Sequence, residues 1–168
     1  DPILFKNKKI NLQLALSKLQ HITINPGKLF SFWHLVGSPS LKKGFQEGLV
    51  ISAGKASRGV GGGLCQLSNA IFWLVLHSEM TVIERHRHSF DLFPDDARFV
   101  PFGTGATVVY NFKDLRFLNT TNVSYQFIFK LTDNYLHAQL NSSSGGAHPI
   151  RIVERDHQFH NTENGLFR

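Results

Sequence analysis

The chain has 168 residues, 42% of them hydrophobic and 15 of them phenylalanine, enough for one domain that buries a core without disulfide or metal support. Eighteen Lys and Arg against 12 Asp and Glu give a net charge of +6, which suits polyanionic surroundings. The basic residues are dispersed and form no nucleic-acid motif, so no nucleic-acid partner is expected.

A single cysteine, Cys65, excludes an intramolecular disulfide and leaves three readings: a buried hydrophobe, a metal ligand or a reactive thiol. No apolar run reaches the roughly 18 residues that span a bilayer, so a soluble chain without a transmembrane segment is expected. It opens on Asp1-Pro2 with no initiator Met, which leaves room upstream for a signal or anchor.

In chain order, Asn11 can cap a helix of about two to three turns whose Leu12, Ala15, Leu16 and Leu19 fall on one face. Asn25-Pro26-Gly27 breaks the chain, and "LFSFWHLVG" reads as core-lining strand or irregular structure before the Gly37-Ser38-Pro39 turn. Phe45 to Ile51 is too short and mixed to assign. From Leu64 a stripe of Leu64, Leu67, Ile71, Leu74 and Val75 predicts a buried helix, with Gly61 to Gly63 as its approach and Cys65 in its first turn.

The period then changes. "TVIERHRHSF" predicts a strand from Thr81 to Phe90, "ATVVYNF" alternates as a second, and "VSYQFIFKL", Asp133-Asn134 and "YLHAQL" read as a hairpin. Helices early and strands late indicate an α+β fold, an antiparallel sheet packed against the helix that carries the cysteine at its N-terminus. "NSSSGG" from Asn141 reads as a linker, followed by a C-terminal arm. No internal repeat is present.

A helix N-terminus carries a partial positive charge and unpaired N–H groups, so a thiolate at Cys65 is expected to be stabilised. Gly62, Gly63 and the Cys65 amide are candidates for an oxyanion hole, because glycine lets neighbouring N–H groups converge. Period-2 alternation puts Val82, Glu84, His86 and His88 on one strand face and Arg85 and Arg87 on the other. Either histidine can serve as the base that a thiol nucleophile needs.

The competing readings are an inert thiol in an apolar helix, a solvated His86 and His88 beside Glu84, and a zinc site on Cys65, His86 and His88 that lacks any CxxC or HExxH. His34, His77 and His137 read as surface or satisfied core histidines. "GVGGG" is followed by Cys65-Gln66 rather than Lys-Ser/Thr, so it is not a nucleotide loop. No cofactor is expected.

"PGKLFSFWHLVG" (Pro26 to Gly37), "GGGLCQLSN" (Gly61 to Asn69), "VIERHRHS" (Val82 to Ser89) and "GATVVYNFKDLRFLN" (Gly105 to Asn119), in this order and spacing, resemble the VanW domain over roughly Lys9 to Leu140. That family was named from a vancomycin-resistance cluster and also occurs in bacterial envelope proteins. The resemblance implies one VanW-like domain over residues 1–140, its residues 1–20 a helical region packed on the rest, with 141–168 as linker and arm. It also implies an extracytoplasmic, cell-envelope location.

Some VanW-domain proteins act as L,D-transpeptidases, joining peptidoglycan stem peptides through a thioester on the family's cysteine. The resemblance therefore implies Cys65 as nucleophile and His88 as the histidine closing the R-x-x-H stretch, with His86 at the additional position of the ERHxHS form. Many members read G-x-D-A-T-V where this chain has Gly105. The orienting carboxylate is then Glu84, Asp91 or Asp114, or the subgroup works as a binding module.

The leading expectation is a cysteine acyl transferase acting on stem peptides. Gln66, Glu84 and Asp114 support the site, and Arg85 and Trp33 bind. The alternatives are an endopeptidase or carboxypeptidase on the same substrate, and a non-catalytic binder of cell-wall peptide or glycopeptide with Phe32, Trp33 and Trp73 as contacts.

Overall fold

The computed structural model of the chain describes residues 1–52, 55–87, 103–145, 149–153, 160–162 and 165–167. It opens with α1, Pro2–Leu19, where the Asp1 carboxylate accepts from the Ile3 and Leu4 amides and Pro2 fills the first turn. Both features favour a helix start, since the first amides lack intrahelical partners and proline lacks the amide that would be orphaned. The face made by Leu12, Ala15, Leu16 and Leu19 is buried, as its spacing predicts.

Asn11 is not the cap. It lies fully buried inside an 18-residue helix, and the turns before it carry exposed Ile3 and Phe5, which give no apolar period.

Two short strands, β1 (Thr23–Ile24) and β2 (Leu29–Ser31), lead into α2 (Phe32–Val36), capped by the Ser31 hydroxyl on the His34 amide. "LFSFWHLVG" is thus half strand and half helix. After a 3-10 turn at Leu41–Lys43, β3 (Glu47–Ser52) and β4 (Lys55–Val60) pair as a hairpin that the sequence left unassigned. Then comes α3, Leu64–Leu76, with Cys65 as its second residue.

The remaining strands are β5 (Thr81–Glu84), β6 (Arg116–Leu118), β7 (Tyr125–Leu131), β8 (Leu136–Ser142), β9 (His160–Thr162) and β10 (Gly165–Phe167). The β7–β8 hairpin falls where the alternation and Asp133-Asn134 put it. "ATVVYNF" is not a strand: its end folds into a tight turn in which Val109 bridges Lys113 and Asn111 takes a positive φ of 65°. Asn tolerates that conformation better than most residues, which is why a turn can form inside an alternating run. The described part of the strand expected from Thr81 to Phe90 ends at Glu84.

The class is α+β, and every strand pair among the described residues is antiparallel. The single expected sheet is instead four small ones among the described residues: β1-β7-β8, β2-β6-β5, β3-β4 and β9-β10. The first two share an aromatic core, because Phe30 of β2 stacks on Phe117 of β6 at 4.3 Å between ring centroids and both rings meet Phe127 of β7. Leu64, Leu67, Ile71, Phe72 and Val75 of α3 are buried with them, and α3 packs on β8.

Candidate functional site around Cys65 and the adjoining cleft

The entrance to α3 is held by backbone crowding. A Cβ on Gly62 would lie 2.3 Å from the Gly48 carbonyl carbon of β3, so only glycine allows the loop to meet that strand. Gly63, the N-cap, has φ 97° and faces the Lys8 side chain of α1. Buried Asn11 completes the joint: its amide donates to the Gly62 carbonyl at 2.9 Å and the Gln46 carbonyl at 3.0 Å, and its oxygen accepts from the Gln46 amide at 2.7 Å. The structure thus gives Gly62 and Gly63 a packing reason independent of any oxyanion.

Cys65 is half-buried and Gln66 beside it is exposed. The thiol faces the Val108 carbonyl, with Sγ 3.7 Å from that oxygen. Burial pushes the thiol above its ordinary range, the opposite of the stabilised thiolate expected at a helix N-terminus. Loss of water around the sulfur is the larger cause, and the Val108 carbonyl opposes it.

The segment that meets the sulfur is fixed from several sides. Ser68, buried on α3, sets its hydroxyl 2.6 Å from the Ala106 carbonyl, and Asn69 accepts from the Ala106 amide at 2.7 Å. The Arg85 guanidinium donates to the Gly105 carbonyl at 2.8 Å and to the Gly103 carbonyl, and lies over the Phe72 ring at 4.9 Å. Arg85, expected to bind substrate, is occupied with its own chain; burial lowers its pKa, with Arg87 adding to the effect. The Thr107 amide donates to the His86 carbonyl at 2.7 Å.

Glu84 and His86 meet through side chains, Nε2 to Oε1 at 3.1 Å. The same Glu84 oxygen accepts from the Asp114 amide at 2.9 Å, and Oε2 lies 3.5 Å from Arg116. The Asp114 amide is the main cause that holds the Glu84 carboxyl below its usual range. The pairing register shifts between Val82 and Glu84, so the expected alternation of β5 is interrupted.

The Asp114 carboxylate is engaged by α2 and its own neighbour rather than by the histidine. It caps α2, accepting from Ser31 Oγ at 2.5 Å, the Trp33 amide at 3.1 Å and the Leu115 amide at 2.8 Å. His88 and Asp91 lie outside the described residues. Among the described residues no three His, Cys, Asp or Glu side chains group to hold a metal; the zinc alternative needs His88.

An open cleft of about 590 Å³ lies against the outer face of β2-β6-β5. Glu84, Arg116 and Ser31 form a row across its floor, set by the register Glu84↔Arg116↔Ser31. Its wall is the turn from Tyr110 to Lys113 together with Trp33. Trp33 Nε1 donates to the Lys113 carbonyl at 2.9 Å, and its ring meets Tyr110 edge-on at 5.6 Å.

Cys65 is not part of the cleft lining; Val108, which contacts the sulfur, immediately precedes the turn that walls it. Trp33 lines the cleft. Phe32 is fully buried core, and Trp73 packs edge-on against His77. Sequence reasoning missed Ser68, Asn69, Tyr110, Phe112 and Arg116. Their signal was present inside the motif stretches "LCQLSN" and "VVYNFKDLRF", but no period or spacing marks them.

Comparison with known proteins gives three findings. The family described as "VanW like protein" matches residues 7–141. The Vancomycin B-type resistance protein VanW of Enterococcus faecalis (strain ATCC 700802 / V583) is 32% identical over 167 residues, covering 99% of this chain and 61% of that protein. A Bacillus subtilis (strain 168) protein named YoaR, uncharacterized, is 32% identical over 117 residues, covering 70% of this chain and 37% of its own length.

The chain thus spans less than two thirds of either relative. No solved structure matches it significantly. No helix among the described residues is long and apolar enough to cross a membrane. With the family model matching residues 7–141 and a relative 32% identical over 99% of the chain, the chain belongs to the VanW family.

Proposed function

We propose that this chain is a cell-envelope acyl transferase acting on peptidoglycan stem peptides, with Cys65 as nucleophile and His86, oriented by Glu84, as base. The supporting observation is the Thr107–Val108 segment. It bonds the His86 backbone through the Thr107 amide and meets the Cys65 thiol through the Val108 carbonyl, so the thiol and the main chain of His86 adjoin one short piece of chain. The Enterococcus faecalis relative is named for vancomycin resistance, which is in keeping with a role at the cell wall.

In this reading Sγ forms a bond to a stem-peptide carbonyl carbon while the thiol proton passes to the His86 imidazole. The C–N bond then breaks, the departing amine takes that proton, and a thioester remains on Cys65. An acceptor amine attacks the thioester, its proton goes to the imidazole, and the thiolate leaves and is reprotonated. Water as acceptor gives the hydrolase outcome. Because burial keeps the resting thiol protonated, the base acts during the attack rather than beforehand.

That same burial favours the second reading, a module that binds stem peptide without chemistry. Incubation with purified disaccharide-peptide and mass spectrometry of the protein separates them. An acyl adduct on Cys65, absent in Cys65→Ala and reduced in His86→Ala, supports the transferase. Reduction in His88→Ala alone moves the base to the family-motif histidine. Binding without adduct leaves the module, and neither binding nor adduct removes both readings.

A further inference from the structure

We infer that the cleft bounded by Trp33, Tyr110, Phe112 and Arg116 is a receptor for the free carboxylate end of a peptide. The inference deepens the reading above by naming how a stem peptide is held, and it rests on that reading only for the peptide's source.

The aromatic wall is the first observation. Phe112 is 82% exposed at the tip of the Val109–Lys113 turn, an unusual place for a large apolar ring on a pinned segment. The turn is closed by the reciprocal Val109 and Lys113 backbone bonds and held by Trp33 through the Lys113 carbonyl. A rigid turn that holds a phenyl ring in water, beside Tyr110 and the Trp33 ring, offers apolar surface to a side chain without an ordering cost on the protein.

The second observation is which polar groups in the cleft are already committed. Both Asp114 oxygens accept from its own chain, and Glu84 accepts from the Asp114 amide, His86 and Arg116. Both carboxylates are thus partnered within the protein. Arg116 makes one long contact, 3.5 Å, through one nitrogen, and its side chain is 40% exposed; a guanidinium carries five donors in a planar fork.

Lys113 is exposed on the same wall. Two cationic donors, Arg116 and Lys113, thus stand next to aromatic surface, with the exposed Asn111 amide on the same turn. A carboxylate with a small side chain beside it, the terminus of a peptide, complements both the donors and that surface.

The test is a titration of the protein, followed by Trp fluorescence and calorimetry, with diacetylated Lys-D-Ala-D-Ala, its C-terminal amide, and a peptide-free cell-wall oligosaccharide. The free acid is expected to bind about tenfold more tightly than the amide, the size of a charge-assisted hydrogen bond. Arg116→Gln is expected to erase that ratio.

Phe112→Ala, whose exposure spares the fold, is expected to weaken acid and amide equally. Equal affinity for acid and amide in the wild type, or binding of the oligosaccharide alone, overturns the inference. A Cys65 adduct without acid preference leaves the transferase standing and the receptor fallen. Acid preference without adduct does the reverse.

Discussion

The Asn11 amide and the Gly62 carbonyl meet at 2.9 Å with Asn11 fully buried, so the middle of α1 is bonded to the loop that launches the cysteine helix. The same side chain holds the Gln46 backbone in both directions. One residue thus ties α1, the lead into β3 and the glycine entrance into a single unit.

Asn11→Leu should therefore cost far more than a solvent-side change. It leaves the buried Gly62 carbonyl and the part-buried Gln46 amide without this partner, and a buried unpaired group costs about 1–3 kcal/mol. A loss of about 2–4 kcal/mol in urea unfolding is expected; a change under about 0.5 kcal/mol would show that the joint is not used.

Gly62→Ala tests the backbone approach. The added Cβ would meet Gly48 backbone atoms at 2.3 and 2.4 Å and Leu49 N at 2.6 Å, which no rotamer change relieves. A loss above about 2 kcal/mol is expected, in the range of overpacking and backbone strain. Gly27→Ala, with nothing within 4 Å, should cost only its left-handed penalty of about 1 kcal/mol. Thermal unfolding of the pair separates crowding from conformation.

Arg85→Lys should loosen the segment that faces the thiol. A lysine cannot reach two carbonyls in a plane and stack on Phe72 as the guanidinium does. Faster amide exchange over residues 103–108 is expected, with a stability loss of about 1–2 kcal/mol. Unchanged exchange there would count against the clamp.

Cys65 gives a pH prediction. Its folded pKa is raised by burial, so the folded state keeps its proton where the unfolded chain, at about 8.5, has begun to lose it. Stability is complete below about pH 8.5 and falls as pH rises through the folded value, a decline missing in Cys65→Ala. Iodoacetamide alkylation of the native protein should accelerate only above that range. Fast alkylation at neutral pH would mean that the thiolate is already formed.

Glu84 works with the opposite sign. Its folded pKa is lowered, first by the Asp114 amide, so its contribution is present above about pH 4.3 and is lost as pH falls through the folded value. Urea unfolding between pH 7 and pH 3 should show a shallower acid limb in Glu84→Gln than in the wild type.

The residues alone determined the α3 stripe with Cys65 in its first turn, the buried face of α1 and the β7–β8 hairpin. Each is a local period with a turn or glycine at its border, and burial on one face is enough to produce it. Asn11 shows the limit of that reasoning. A polar residue ahead of an apolar run has the pattern of a cap, and only the packing of α1 on the Gln46 and Gly62 backbones makes it a buried bridge.

The site depended still more on tertiary structure. Glu84, Arg116 and Ser31 are far apart in the chain and share a row only through the β2-β6-β5 register. Asp114 sits in the "NFKDLRF" stretch as a candidate orienter, yet folding places it under α2 and leaves Glu84 on His86. Even the direction of the Cys65 shift was decided in space. A place in the first turn of a helix can be read from the residues, but the desolvation that raises the Cys65 pKa depends on how deeply folding buries the sulfur.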